Sequence, residues 1–397
     1  MNIPKLIFHA SCLAAITALC SCTEGAHNNA ELARAEATMT AVYSHYSVPE
    51  NFLLRENWPS DQDYRAGYLA SEAQGSNPYS YLWPFSGSLS ATVAIMESEP
   101  EYTDTLTGRV LPGLEEYLDT LRSPAAYSSY IASAPASDRF YDDNIWLGID
   151  FTDLYRLTGD RKYLDKAEMI WKFIESGTDD VLGGGIYWCE QKKHSKNTCS
   201  NAPGAVYALK LHLATGEQSY LDKGKALYDW TFKTLRDTTD NLYFDNISLD
   251  GKIADWKFAY NSGQMIQAGA LLYTITGDTE YLEQAQATAA ACYGYFFEDF
   301  TAPDGRQIRI LKPGNTWFHA VMVRGLAELC RIDGNHLYMD AVRASADTAW
   351  EYSRTEEGLF SDDMSGRRHD DRYWLLTQWA MAEIYARLAT FSSGTGF

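Results

Sequence analysis

A short phrase recurs down the chain and limits what it can fold into: LTGDRKYLDKA from Leu157, ATGEQSYLDKG from Ala214, ITGDTEYLEQA from Ile275 and the worn IDGNHLYMDA from Ile332. Its glycines, Gly159, Gly216, Gly277 and Gly334, lie 57, 61 and 57 residues apart, and a tyrosine follows each of them four positions on. A degenerate copy, ESEPEYTD, places Tyr102 61 residues before Tyr163. Each glycine ends one apolar helical pattern and precedes another. Glycine at such a point takes the left-handed conformation that stops a helix, so the repeat unit is an αα-hairpin.

Segments arriving at the glycines, such as NIWLGIDFTDLYRL and GQMIQAGALLYTI, are apolar nearly all round, whereas those leaving, such as YLDKAEMIWKFIES, are amphipathic. A helix apolar on every side belongs inside and an amphipathic one outside. PFSGSLSATVAIME and YWLLTQWAMAEIYARLA bring the inner helices to six, and AELARAEATMTAVYSHY and LPGLEEYLDTLR complete six outer ones. The expected fold is all-α, an (α/α)6 barrel. The outer-to-inner connections are long and rich in aromatic, glycine and polar residues, as in DDVLGGGIYWCEQKKHSKNTCSN and DNLYFDNISLDGKIADWKFAYN. Loops of that length in a compact domain usually carry function. They gather at the N-terminal ends of the inner helices, which is where a cleft is expected.

The first residues, MNIPKLIFHASCLAAITALCSC, combine one early lysine with an apolar stretch too short to span a membrane permanently, the pattern of an export signal. Leu19-Cys20-Ser21-Cys22 resembles a bacterial lipobox, which implies cleavage before Cys22 and acylation of its thiol. Residues 1–21 are then a signal peptide, 22–30 a tether and 31–397 a single domain. The expected product is an exported lipoprotein, periplasmic or at the cell surface, that meets a membrane only through its lipid. A formal charge of −20 with no lysine or arginine run repels phosphate backbones, so no nucleic-acid partner is expected. Cys292 and Cys330 lie in apolar helical patterns as core thiols, while Cys189 and Cys199 share a loop and are placed to close a small disulfide. No Cys/His cluster has zinc spacing. Neither metal nor cofactor is expected, and the chain is expected to act as a monomer.

Four acidic doublets remain to be sorted. Asp142-Asp143 starts the second inner helix at the expected mouth, flanked by Phe140, Tyr141 and Trp146. Aspartate there suits a helix cap and the positive end of the dipole. Two carboxylates at a cap also suit the close pair of a retaining glycosidase, where mutual repulsion keeps one protonated as a general acid. Asp179-Asp180 and Asp362-Asp363 are expected to be solvated. Asp370-Asp371 also opens an inner helix, but Arg367, Arg368 and Arg372 surround it, which favours a structural ion pair and leaves it as the second candidate.

Trp83, Tyr141, Trp188, Trp256, Tyr260 and Trp317 stand at or near the mouth and suit stacking on sugar faces, with Tyr187 a further aromatic there. The amides of Asn197, Asn201 and Asn261 suit paired hydrogen bonds to hydroxyls, and Lys196 is a candidate for a hydroxyl or an acidic sugar. His319 lies in an apolar helix and is expected to be a core histidine. GxSxG, Walker and HExxH motifs are absent, leaving serine hydrolase, nucleotide and zincin chemistry unsupported.

The motifs YDDN at 141–144, GGGIYW at 183–188, KNTCSNAP at 196–203 and FAYNSG at 258–263 resemble those of glycoside hydrolase family 76, the endo-α-1,6-mannanases. The resemblance covers most of the chain beyond the signal, in the right order, although Ser262 stands where the pattern has glutamine. It implies an endo-acting, retaining hydrolase of α-1,6-linked mannan backbones, with Asp142 as nucleophile and Asp143 as acid/base. Two other readings use the same barrel. An unsaturated uronyl hydrolase calls for well-separated aspartates, and an epimerase for histidines at the mouth, where only His194, His319 and His369 are candidates. A lipid-anchored glycan-binding protein would use the aromatic mouth but has no need of two repelling carboxylates.

Overall fold

The computed structural model describes residues 30–60, 64, 66–68 and 78–392. The expected signal peptide, the expected lipidation site Cys22 and all but the last residue of the expected tether lie outside them. Six inner helices, α2 (Leu82–Met96), α4 (Tyr141–Thr158), α6 (Thr198–Thr215), α8 (Ala259–Thr276), α10 (Thr316–Asp333) and α12 (Leu375–Ser392), alternate with outer ones. The outer layer comprises α1 (30–46), a broken α3, α5 (Arg161–Ser176), α7 (Gln218–Leu235), α9 (Thr279–Phe296) and α11 (Leu337–Thr348). Each inner helix packs on the next, and α12 returns to α2, closing the ring as an (α/α)6 barrel. No helix among the described residues is long and apolar enough to cross a membrane.

The repeated phrase works as its composition suggests. Gly159, Gly216, Gly277 and Gly334 end inner helices with φ of 71°, 76°, 73° and 67°, each donating its N–H to the carbonyl four residues back. That left-handed geometry carries little cost for glycine alone. In two copies the following aspartate caps the outer helix: Asp160 accepts from the Lys162 amide and Asp278 from the Glu280 amide. The tyrosine four positions on then pins the outer helix to a neighbouring ring, as Tyr220 does on Trp171 at 5.8 Å and Tyr281 on Tyr228 at 5.4 Å.

Two expectations about elements are corrected. The second outer helix does not span LPGLEEYLDTLR: α3 comprises Thr103–Thr105, a π turn at Leu106–Val110 and Leu111–Glu115. Beyond it Leu118–Asp119 pairs antiparallel with Ala126–Tyr127, and Asp119 accepts from the amides of Leu121 and Arg122, which favours a turn there over continued helix. The long connections are not all irregular either. Strands β1 (Ser195–Asn197), β2 (Phe244–Ser248) and β3 (Ile253–Lys257) form an antiparallel sheet at the mouth, and β4 (Phe297–Thr301) pairs with β5 (Gln307–Leu311). Asp250-Gly251 and Asp304-Gly305 make the two turns, with glycine φ of 86° and 91°.

The barrel centre holds a buried polar network. The Ser90 hydroxyl donates to Asp150 at 2.5 Å, and Arg324 grips Glu383 through Nε at 2.7 Å and Nη2 at 2.8 Å. The other Arg324 nitrogen lies 4.0 Å from Asp150. These residues tie α2, α4, α10 and α12 together directly beneath the mouth, where the Arg324 guanidinium also lies 5.9 Å from the Trp146 ring.

Candidate active site

The YDDN motif distributes its residues between scaffold and cavity. Phe140, extended and without a side-chain cap bond, is the N-cap of α4, so the expectation that the doublet caps the helix is corrected: Asp142 and Asp143 occupy the first turn, still at the positive end of the dipole. Tyr141 turns inward, fully buried and stacked on Phe173 at 4.6 Å. Asn144 donates to the carbonyls of Tyr127 and Phe140, both at 2.9 Å, and accepts from the Tyr127 amide at 2.8 Å. With both ends of the motif anchored, the carboxyl groups face a cavity of about 550 Å³ at the mouth.

Asp142 Oδ2 accepts from the Trp188 indole at 3.1 Å and from the Cys199 thiol at 3.2 Å, while its Oδ1 is buried and unpartnered among the described residues. Trp188 is delivered by the glycine run before it. Gly185 has φ of 85° and passes so near Trp230 that a Cβ would lie 2.9 Å from the ring. Further on, the Tyr141 amide donates to the Trp188 carbonyl at 2.9 Å, fixing the indole beside the doublet. Burial raises the affinity of both carboxyls for protons, but the two environments differ. For Asp142 the thiol and indole donors oppose burial; for Asp143 the charge of Asp142 adds to it, so its pKa is raised well above the carboxylate range. Ionisation is thus favoured more at Asp142 and proton retention more at Asp143.

Trp83, Trp188, Asn197, Trp256, Tyr260 and Trp317 line the cavity with the two aspartates. Trp146 and Trp317 meet edge to face at 4.9 Å as its floor, and Trp256 stands 67% exposed at its rim. Five of the residues singled out from sequence do not line it. Tyr141 is in the core, as described. Lys196 is fully buried behind the wall, donating to the Asp179 carboxylate at 2.7 Å and to the carbonyls of Val181 and Gly184 at 2.7 and 2.6 Å. Asn201 spends its amide on the backbone: it donates to the Ile186 and Asn197 carbonyls and accepts from the Ile186 amide. Asn261 is fully buried beside Asp245. Tyr187 is likewise buried, with its hydroxyl on Asp179 at 2.7 Å.

The other doublets separate clearly. Asp179 is not merely solvated, because it pairs with Lys196. Asp362-Asp363 is not solvated either: Asp363 is buried, and Asp362 accepts from the Thr316 and Thr377 hydroxyls, each at 2.8 Å. Asp370 faces Arg368 at 3.9 Å and lines a separate depression with Asp371, Arg372 and Trp374. Cys189 and Cys199 are free thiols, which corrects the expected disulfide. The first turn of α6 aims Cys199 at Asp142, away from Cys189. His319 is buried, and burial lowers its pKa to about 4, as befits a core histidine. Ser262 is buried too and accepts from the Tyr243 amide at 3.2 Å.

Several cavity residues escaped the sequence reasoning: Tyr68, Tyr81, Phe318, Asp245 and Asn246. Asp245 and Asn246 had a signal, the Asp-Gly turn that makes FDNIS a hairpin strand lying across the mouth. Burial raises the pKa of Asp245 as well. Tyr68 and Tyr81 had no comparable one. They are held by Glu56, whose buried carboxylate accepts from the Tyr68 hydroxyl, the Trp374 indole and the Tyr81 amide, contacts no local pattern announces.

An (α/α)6 toroid whose aromatic-walled mouth presents two adjacent buried carboxyl groups defines a glycoside hydrolase of the six-hairpin class. The sequence profile of glycosyl hydrolase family 76 matches residues 34–394, and the chain belongs to that family. It is similar to a family 76 mannosidase from Bacteroides thetaiotaomicron VPI-5482, with 35% identity and a TM-score of 0.82 over 90% of this chain and 98% of that one. It is also similar to an inactive variant of an α-1,6-mannanase from Salegentibacter sp. HEL1_6, in which two consecutive aspartates are replaced by alanine and which is in complex with α-1,6-mannotetrose. Identity there is 25% and the TM-score 0.70, over 91% of this chain and 99% of that one. Among curated proteins, a mannan endo-1,6-alpha-mannosidase of Candida glabrata is 30% identical over 128 residues, 30% of this chain. That match spans 28% of the yeast protein's own length.

Proposed function

We propose that the chain hydrolyses α-1,6-mannosidic bonds within mannan backbones, with retention of configuration, using Asp142 as nucleophile and Asp143 as acid/base. The observation that carries this reading is geometric: two adjacent carboxyl groups in the first turn of α4 line one aromatic cavity, and side-chain donors reach Asp142. Retaining hydrolysis needs an ionised group to attack, which the donors on Asp142 favour, and a protonated one to release the leaving oxygen, which burial and the Asp142 charge favour at Asp143. The family, the α-1,6-mannotetrose held by a similar barrel and the paired aspartates replaced in it support the choice of substrate.

In the first step the Asp142 carboxylate bonds to the anomeric carbon as the glycosidic C–O bond breaks, and the Asp143 proton passes to the leaving oxygen. The product is a β-linked mannosyl-enzyme. Asp143, now ionised, takes a proton from water as that water attacks the anomeric carbon and the ester bond breaks, restoring the α configuration and the starting protonation. The ring of Trp83, Trp146, Trp188 and Trp317 offers sugar-stacking faces and keeps the local dielectric low. Incubating α-1,6-mannan with wild type, Asp142→Asn and Asp143→Asn tests the assignment. Reducing ends should accumulate with wild type, and each variant should lose at least about a thousandfold in rate with an unchanged thermal melt. Wild-type rates in either variant, or intact mannan with wild type, would refute it.

Export and lipid anchoring through Cys22 belong to the same proposal, since an extracellular polymer calls for an enzyme outside the cytoplasm. Their support is the sequence of residues 1–22. Labelling with a fatty-acid analogue should mark the wild type and not Cys22→Ser; equal labelling of both would remove the anchor.

A further inference from the structure

We infer that Cys199 is a positioning residue for the nucleophile: its thiol, beside the Trp188 indole, donates to Oδ2 and holds the Asp142 carboxylate at the cavity wall. The inference rests on the retaining mechanism proposed above and adds a residue to it. Cys199 sits in the first turn of α6, 3% exposed, on the cavity wall. Its sulfur lies 3.2 Å from the same Asp142 oxygen that receives the Trp188 indole at 3.1 Å. Two side-chain donors thus meet one oxygen, while the other is buried with no side-chain partner among the described residues. A carboxylate held by both donors is fixed in orientation before the substrate arrives.

The thiol proton is itself directed. The Tyr260 hydroxyl is within hydrogen-bonding reach of the Cys199 sulfur, and the Tyr260 ring is fixed by stacking on Phe318 at 4.0 Å. The run from Tyr260 O–H to Cys199 S–H to Asp142 Oδ2 therefore points one way. Burial, and then the Asp142 charge, keep the thiol from ionising, so it remains a donor and not a competing nucleophile. The remaining titratable groups about Asp142 are Asp143 on its own helix, Asp245 on β2, Tyr260 on α8 and Cys189 in the preceding loop, and none is a cation.

The test compares Cys199→Ala and Cys199→Ser in the full chain, with wild-type hydrolysis of α-1,6-mannan as the control for the functional reading. Cys199→Ala should lower kcat on the order of tenfold with KM within about twofold. The ascending limb of its kcat/KM against pH should move to higher pH, because a lost donor disfavours the ionised carboxylate. Cys199→Ser restores an O–H donor and should recover most of both effects. A general packing role predicts neither the moved limb nor the rescue. Cys199→Ala with wild-type kcat and an unmoved limb overturns the inference, as does a serine variant no better than alanine. If the alanine variant fails to fold, the same two readouts on Cys199→Val decide. Wild type inert on mannan strikes the functional reading itself, and the inference falls with it.

Discussion

At the residue scale the chemistry rests on two carboxyl groups in one helical turn whose proton affinities diverge. Burial raises both, the donors on Asp142 oppose it there, and the Asp142 charge reinforces it on Asp143. A pair this close titrates in two macroscopic steps. Activity should rise as the pair loses its first proton, giving an ionised Asp142, and fall as it loses the second, held on Asp143. Both limbs of kcat/KM should lie above the ordinary carboxylate range, because both shifts are upward. Asp143→Asn, assayed with an aryl mannoside whose leaving group needs no protonation, should lose the descending limb and keep the ascending one. A descending limb that survives assigns the acid elsewhere. The doublet was legible in sequence because its aromatic flanks and the absence of neighbouring arginine set it apart. Lys196 and Asn201 were not, because their partners, Asp179 and Ile186, come from a preceding loop whose path no local pattern reveals.

At the element scale, one device recurs where long loops meet inner helices. Asn144, Asn201 and Gln378, each in the first turn or so of its helix, hold both the N–H and the C=O of one loop residue: Tyr127, Ile186 and Phe360 respectively. Such an amide satisfies two buried backbone groups at once and sets the loop's height above the barrel. At Asn201 that loop carries Trp188, hence the orientation of Asp142. Asn201→Ala should leave Ile186 with buried unpaired groups and cost about 2–4 kcal/mol, read as a melting temperature several degrees lower. An unchanged melting temperature means that water or another group replaces the amide and that the clamp is dispensable. The hairpin repeat was legible because a glycine, followed four residues on by a tyrosine, punctuates it every 57 to 61 residues. The mouth strands were missed because their length and aromatic content resemble plain loops unless the Asp-Gly turns are given weight.

At the scale of the whole molecule, six hairpins close into a ring whose polar centre supports the mouth. Asp150 and Arg324 lie under Trp146, and burial pushes the Asp150 carboxyl up to about 7, while Arg324 and Arg387 outweigh burial at Glu383 and hold it below its usual value. Buried ion pairs of this kind add little net stability but fix one arrangement of the helices that carry them. The barrel and its open end followed from periodicity and loop length alone. The pairing of carboxyl groups with their donors did not, since Cys199 and Trp188 reach Asp142 only after α4, α6 and the glycine-rich loop have come together. The most direct test of the central claim is proton NMR of the first products released from α-1,6-mannan. The account predicts oligosaccharides of several lengths whose new reducing ends appear first as the α-anomer and mutarotate afterwards; β-anomers appearing first would contradict it.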